Sequence, residues 1–412
     1  MTEWQFGLAS VSPRWNVSGS YMQAIPRFFS TDAKGDDQRE FLLEALADSA
    51  NLQSMIFLKG YQWPFDVRKV EAGSSLLDLL VWLEQQKGRN VYLDYTRNPG
   101  GGPIHFEALT PEARNYLQSA DACQETPFQR LQRLNEPAVA FYREKGVDLQ
   151  TQPLQIALCA QHNNGGLAVN AWWETTVRGL FAVGEAAGTH GVYRPGGTAL
   201  NAGQVGSTRA AQYIVDRCRK EKVNEKAFAA AAQQALAWAR ELVQQVVGNR
   251  PGIPVWQVWQ KAEIRMSRVG GAVRDPAAIE AALQEAQQDL ATLPKMVVVP
   301  DSFRLRNVFR LRDMLLSQIV YLSAMLDYTR HGGKSRGSAL YTDRTAPLSQ
   351  AALPDVLRFR LDDGELDGTI QTVRLQKGKV VCSWRPVRPL PDDDDFFENV
   401  WRGWRENKNI LG

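Results

Sequence analysis

Apolar positions recur at helical spacing early in the chain, break into short runs bounded by Gly and Asn in the middle, and return to helical spacing after residue 224. Phe41, Leu42, Ala45 and Leu46 predict a helix over 38–50. A second helix is predicted over 74–88, with Ser74 or Ser75 as its cap and Gly88 at its end. RNVYLDYT (89–96) has the pattern of a strand and NPGGGP (98–103) that of a turn. The helical stretch 126–146 should be divided by Pro137, because an interior proline loses a helix hydrogen bond. LQIALCA (154–160), GLAVNAWW (166–173) and GLFAVGEAAG (179–188) predict three strands, and Thr198–Arg219 a helix entered through Gly196-Gly197. About three main helices follow, over 224–247, 275–293 and 304–330. Near the end, VRLQKGKVVCSW (373–384) predicts a hairpin turning at Lys377-Gly378, before the acidic run Asp392–Asp395.

Composition narrows the class. The 412 residues are 44% apolar and 23% charged, which excludes a disordered, collagen-like or disulfide-scaffold chain. A net charge of +3 argues against a nucleic-acid partner. Cys123, Cys159, Cys218 and Cys382 show no CxxC spacing, so buried free thiols in a reducing cytoplasm are expected. No apolar run reaches the roughly 18 residues that span a bilayer, and no signal-peptide pattern opens the chain, so a cytoplasmic protein is expected. No ligand spacing for a metal occurs, with no HExxH and no acidic calcium loop.

The densest chemical signal lies between His162 and Gly206. A Gly-Gly pair lets backbone amides approach a planar ligand closely, and the following helix aims its positive end at that ligand. Gly165-Gly166, GLFAVGE (179–185) and HGVYRPGGTAL (190–200) stand in the order Gly-Gly, G-L-[YF]-A-x-G-E, H-G-x-x-R-x-G-G-x-x-L. This segment resembles the C-terminal part of the FAD-binding domain in the succinate dehydrogenase/fumarate reductase flavoprotein family, which includes L-aspartate oxidases. EWQFG (3–7), VYLDYT (91–96) and SRG (335–337) resemble further stretches of that family.

The resemblance implies a multidomain fold of mixed α+β and α/β type. It would comprise a capping domain (1–150), the second half of a Rossmann-like FAD-binding domain (151–220), a helical domain (221–340) and a C-terminal extension (341–412). It implies FAD as cofactor. Glu185 would bind the ribityl region beside Gly184, while Gly196, Gly197, Thr198, Ala199 and Leu200 would offer backbone contacts to the isoalloxazine. Arg194 would hold the carboxylate of a small-molecule substrate, with His190 and His162 lining the reacting face as candidate catalytic groups.

Three features depart from the family. Gly7 and Leu8 stand where a substrate-binding histidine is expected, and Gln161 replaces another histidine, with His162 one place along. Ser74 falls where the family has a proton-donating arginine, Arg68 being the nearest upstream. No G-x-G-x-x-G occurs, so a separate N-terminal FAD-binding half or an electron-transfer partner is expected. The expectation is an FAD-dependent oxidoreductase, or the C-terminal part of one, moving hydride between flavin N5 and the substrate. The alternative is a non-catalytic remnant that docks a partner.

Overall fold

The computed structural model describes residues 3–46, 48–218, 224–248, 251–389 and 392–406. Five strands, β1 (Trp4–Ser10), β2 (Trp15–Asn16), β3 (Arg27–Thr31), β4 (Asn90–Asp94) and β5 (Leu154–Asn163), form one antiparallel sheet in the order β2-β1-β5-β4-β3. β5 pairs with β1 on one side and β4 on the other. β5 thus joins residues 154–163 to the strands before them in one sheet.

Helices cover this sheet: α1 (Ser20–Gln23), α2 (Phe41–Leu46), α3 (Ser49–Lys59), α4 (Ser75–Gln86), α5 (Pro111–Ser119), α6 (Pro127–Leu134) and α7 (Glu136–Glu144). The single helix expected over 38–50 is corrected. The chain breaks after Leu46, and Asp48 starts α3 by accepting from the amides of Ala50 and Asn51. The division near Pro137 holds, and Asn135 makes it, ending α6 and capping α7 through the Ala138 amide. Arg130 is fully buried yet satisfied by the carbonyls of Ala24 (3.0 Å) and Gln124 (2.7 Å) and by Asn98 Oδ1 (2.7 Å). Burial pulls its pKa down to about 10. The hydrophobic core between sheet and helices includes Leu8, Phe28, Ile56, Phe57, Leu80, Leu93, Tyr142 and Ile156.

Two of the three strands expected over 154–188 are absent. Residues 164–188 form turns and isolated bridges, Val169 with Thr175 and Glu174 with Phe181, ending in a 3-10 turn over Gly184–Ala187. Polar side chains replace ladder pairing here. Asn170 Oδ1 accepts from the amides of Trp172 (2.8 Å) and Glu174 (3.1 Å), and Glu174 Oε1 from that of Gly179 (2.8 Å). α8 (Thr198–Tyr213) follows as expected and continues as a π-turn to Cys218.

Among the described residues, the helical region holds four long helices rather than three: α9 (Glu225–Gly248), α10 (Val255–Val269), α11 (Pro276–Met296) and α12 (Leu305–Arg330). Val255, Val258 and Ala262 of α10 pack with Leu293, Val308, Leu311 and Leu315. Two parallel strand pairs, β6 (Ile253–Pro254) with β8 (Val297–Val298) and β7 (Val273–Arg274) with β9 (Leu340–Tyr341), tie these elements together. Val273 and Leu340 join the core under the sheet, so the helical region shares that core.

The hairpin is β10 (Thr369–Gln376) and β11 (Lys379–Pro386), with Lys377 and Gly378 both at positive φ in its turn. α13 (Phe396–Arg405) closes the described chain. All four cysteines are free, but Cys123 is exposed and the others only half-buried, which corrects the expectation of buried thiols. The multidomain mixed α/β architecture is the one expected. Among the described residues, no helix is long and apolar enough to cross a membrane.

Candidate functional site

The site begins at the end of β5. Opposite β1 the register slips at Gln161, since Gln5 pairs with His162 but Phe6 with Ala160. Such a bulge re-aims the side chains beside it. It sets the His162 ring between two partners, with Nδ1 3.2 Å from Glu185 Oε1 and Nε2 3.2 Å from His190 Nδ1. Glu185 Oε1 also accepts from the Asn163 amide at 3.0 Å.

This order fixes the proton positions. An ionised carboxylate only accepts, so neutral His162 carries its proton on Nδ1 and accepts at Nε2 from His190 Nδ1–H. The basic position that remains is His190 Nε2, a buried atom with no protein partner among the described residues. Burial pushes both imidazoles below their ordinary value of 6.5. Glu185 opposes this shift, whereas the Arg194 charge adds to it. The folded state therefore favours neutral rings. Its contribution is complete above 6.5 and is lost as pH falls through the lowered folded values. We expect Glu185→Gln to lower the His162 titration midpoint further, read from its ring resonances by NMR. A midpoint that stays or rises would contradict this charge arrangement.

Arg194 lies half-buried beside the pair. One guanidinium nitrogen reaches Gln5 Oε1 at 3.5 Å, while its buried Nε has no partner among the described residues. Next to it, Tyr193 OH accepts from the Gly337 amide at 2.9 Å, and the Arg68 guanidinium lies 3.6 Å from the Tyr193 ring centroid. Arg68 is tied to Asp66, and Ser74 is a buried residue at the start of α4. Neither occupies the His162–His190 contact.

The glycines fall into two kinds. Gly166 and Gly188 touch through their backbones, and a Cβ on Gly188, at φ +60°, would lie 2.0 Å from the Gly166 amide nitrogen. Gly184 lets the 3-10 turn approach Gly203 of α8. Gly197, at φ +81°, turns the chain into α8, whose first turn is Thr198, Ala199 and Leu200. Thr198 Oγ1 bonds the Pro195 carbonyl at 2.6 Å, Leu200 is 79% exposed, and Gly196 stands in open space. The Ala199 backbone lies close enough to His190 to favour its charged form.

A cavity of about 590 Å³ opens beside His190, walled by Asn164, Gly165, Gly166, Glu3 and Arg336. Asn164 is buried there, with both atoms of its amide unpartnered. The sequence patterns brought out His162, Glu185, His190 and Arg194, and the fold brings all four together. Asn164, Glu3 and Arg336 were not foreseen. The only signal for Asn164 was its place directly before Gly165-Gly166.

The geometry fits what comparison with known proteins finds. A family model described as an FAD binding domain matches residues 80–200. One of the polypeptides of the fumarate reductase (CoM/CoB) of Methanothermobacter marburgensis is 35% identical over 85 residues, covering 20% of this chain and 16% of that protein. The L-aspartate oxidase of Bacillus subtilis is 28% identical over 148 residues, covering 35% and 22%. A fumarate reductase flavoprotein of Haemophilus influenzae is 28% identical over 250 residues, covering 57% and 39%. The chain thus spans less than half the length of these relatives. Among solved structures, a chain of E. coli quinol fumarate reductase superposes with a TM-score of 0.59 at 17% identity, over 96% of this chain and 60% of that one. Adenylylsulfate reductase of Archaeoglobus fulgidus gives 0.52 at 14% identity, over 94% and 59%. At the level of family, the chain resembles the FAD-dependent oxidoreductases of the fumarate reductase, succinate dehydrogenase and L-aspartate oxidase type.

Proposed function

We propose that the chain forms the substrate-facing side of an FAD-dependent oxidoreductase acting on a small carboxylate-bearing molecule. The observation that carries this is the convergence of Glu185, His162, His190 and Arg194 at the start of α8, inside the segment with the flavoprotein pattern. The polar atoms fit such a cofactor and substrate. The Asn164 amide, His190 Nε2 and Arg194 Nε are buried without partners among the described residues, and the Gly166–Gly188 contact makes a wall without side chains.

When bound, FAD supplies hydride transfer at N5. The chain's own residues do the rest. The positive end of α8, at its first turn Thr198–Leu200, stabilises negative charge near the helix start. Glu185, 54% exposed, has room to accept from a ribityl hydroxyl while it orients His162. Arg194 grips the substrate carboxylate, and His190 Nε2 holds or releases the proton that accompanies the transfer. Residues 1–150 act as the cap that excludes water.

Arg194→Ala tests the assignment. A charged hydrogen bond contributes about 1.5–3 kcal/mol, so affinity for a carboxylate substrate or inhibitor should fall about 10- to 100-fold, with FAD affinity unchanged. Unchanged carboxylate affinity would remove Arg194 as the anchor.

A second reading rests on the surface of the same segment. Leu167, Val177, Leu180, Leu200 and Val205 are exposed, and α8 buries only Gly206 and Ala210. A companion polypeptide with the dinucleotide-binding half would cover that apolar face. Flavin binding only in the companion's presence would favour this reading.

A further inference from the structure

A second cavity, of about 780 Å³, adjoins the one beside His190 and shares Thr189, Thr372 and Arg385 with it. Its walls are residues 168–171 and 173–176, Thr189, Arg209 of α8, and Thr372, Arg374, Arg385 and Arg388 of the hairpin region. Strand geometry sets which hairpin side chains face it. β10 and β11 pair with Gln371 opposite Trp384 and Thr372 opposite Ser383. One face of the hairpin is fastened to α12, since Gln371 Nε2 donates to the Ala324 carbonyl (2.9 Å) and Trp384 Nε1 to Asp327 Oδ2 (2.8 Å). Side chains alternate along a strand, so Thr372, Arg374, Ser383 and Arg385 share the opposite face. That face meets Arg209 across the cavity.

Four guanidinium groups thus converge on one space, and among the described residues none of them makes an ion pair. Arg209 is half-buried, while Arg374, Arg385 and Arg388 are exposed at the rim. The single carboxylate at the cavity, Glu174, already accepts from the Gly179 amide. The formal charge of the lining is therefore +3, four arginines against one glutamate. Arg209 is held in place by stacking, its guanidinium 4.5 Å from the Trp172 ring centroid, and Trp172 in turn stacks on Tyr213. Burial already disfavours its charged form. Four like charges around one cavity make a positive field that attracts anions, and arginine forks match phosphate oxygens in geometry. The volume lies in the range of small-molecule sites, and Trp173 adds an aromatic wall.

We propose that this cavity binds a phosphate-bearing small anion of nucleotide size. Arg209 and Arg374, Arg385 and Arg388 would clamp the phosphates from opposite sides, with Thr189 and Thr372 as hydroxyl donors. The phosphates could belong to a free nucleotide or to a dinucleotide cofactor, and the site stands whether or not the flavin reading does.

The test is equilibrium titration of the full chain with ADP, inorganic pyrophosphate and FAD at fixed ionic strength, followed by calorimetry. Wild-type protein should bind ADP saturably, and the Arg374→Gln/Arg385→Gln variant at least tenfold more weakly, with an unchanged melting midpoint. A control, Arg306→Gln/Arg310→Gln on α12, removes the same charge from exposed positions outside the cavity and should bind ADP as wild type does. Parallel loss of FAD binding in the cavity variant assigns the phosphates to the dinucleotide, and retained FAD binding assigns them to a free nucleotide. No saturable binding of ADP or pyrophosphate by wild type would overturn the proposal. So would equal affinity in the cavity variant, or equal weakening in the control.

Discussion

Lys59→Met should destabilise the folded chain by about 3–5 kcal/mol, the usual cost of leaving a buried charge without its partner. Lys59 on α3 is 1% exposed and Asp78 on α4 is fully buried. The ammonium donates to Asp78 Oδ2 and to the Gln62 carbonyl, and Asp78 Oδ1 has no partner among the described residues. Burial pushes the Asp78 pKa up, and Lys59 is what pulls it back. Without Lys59 the carboxyl must be buried charged and unpaired, or take up a proton. The sign of the pH dependence follows. A raised folded pKa means that stability is retained below the unfolded value of 3.8 and lost as pH rises. The deficit in the variant should therefore be smallest in acid and grow toward neutrality. Denaturant unfolding at two pH values measures it. Lys59→Met/Asp78→Leu should recover most of the loss, because apolar replacements of a buried pair are often neutral. A double variant as unstable as the single one would show that packing, rather than charge, sets the cost.

Gly188→Val is the second large effect, and it strikes the site directly. Gly188 sits at φ +60°, a conformation that costs an L-residue roughly 1–2 kcal/mol. Its Cβ would also overlap the Gly166 backbone, which has no flexible side chain to move aside. The expected result is separation of the 163–168 segment from the 184–188 turn. That would appear as fast amide exchange at both and at least tenfold weaker FAD binding. Gly102→Ala is the matched control outside the site, since nothing lies within 4 Å of its added Cβ and its φ is not positive. Equal amide protection in wild type and Gly188→Val would refute the backbone contact as the frame of the site.

Where local chemistry decides structure, the sequence is transparent. The spacing of apolar residues marks α4, α8, α11 and α12, and Lys377-Gly378 marks the hairpin, because each answers to its own periodicity or turn residues. The expected strands over 166–173 and 179–188 fail for a tertiary reason. Their runs look like strands, but Asn170 and Glu174 take backbone amides that a ladder would use. α10 was missed although its apolar residues are regularly placed, because Val255, Val258 and Ala262 share it with exposed Trp256 and Ile264. The site shows the same division. The glycine and histidine pattern named Glu185, His162, His190 and Arg194, since those residues stand within one segment. Their order as a chain of proton donors needed the bulge at Gln161, which only the pairing of β1 with β5 reveals. Arg336 enters the cavity wall from a distant part of the sequence, and local spacing carries no trace of that meeting.

The central claim is that the face built by residues 162–206 holds FAD. Titrating the purified chain into FAD, while following flavin fluorescence and visible absorbance, tests it most directly. The account predicts saturable quenching with a shifted absorbance band, weakened in Gly188→Val and retained in Arg194→Ala. An unchanged flavin spectrum at every attainable concentration of wild-type chain would contradict it.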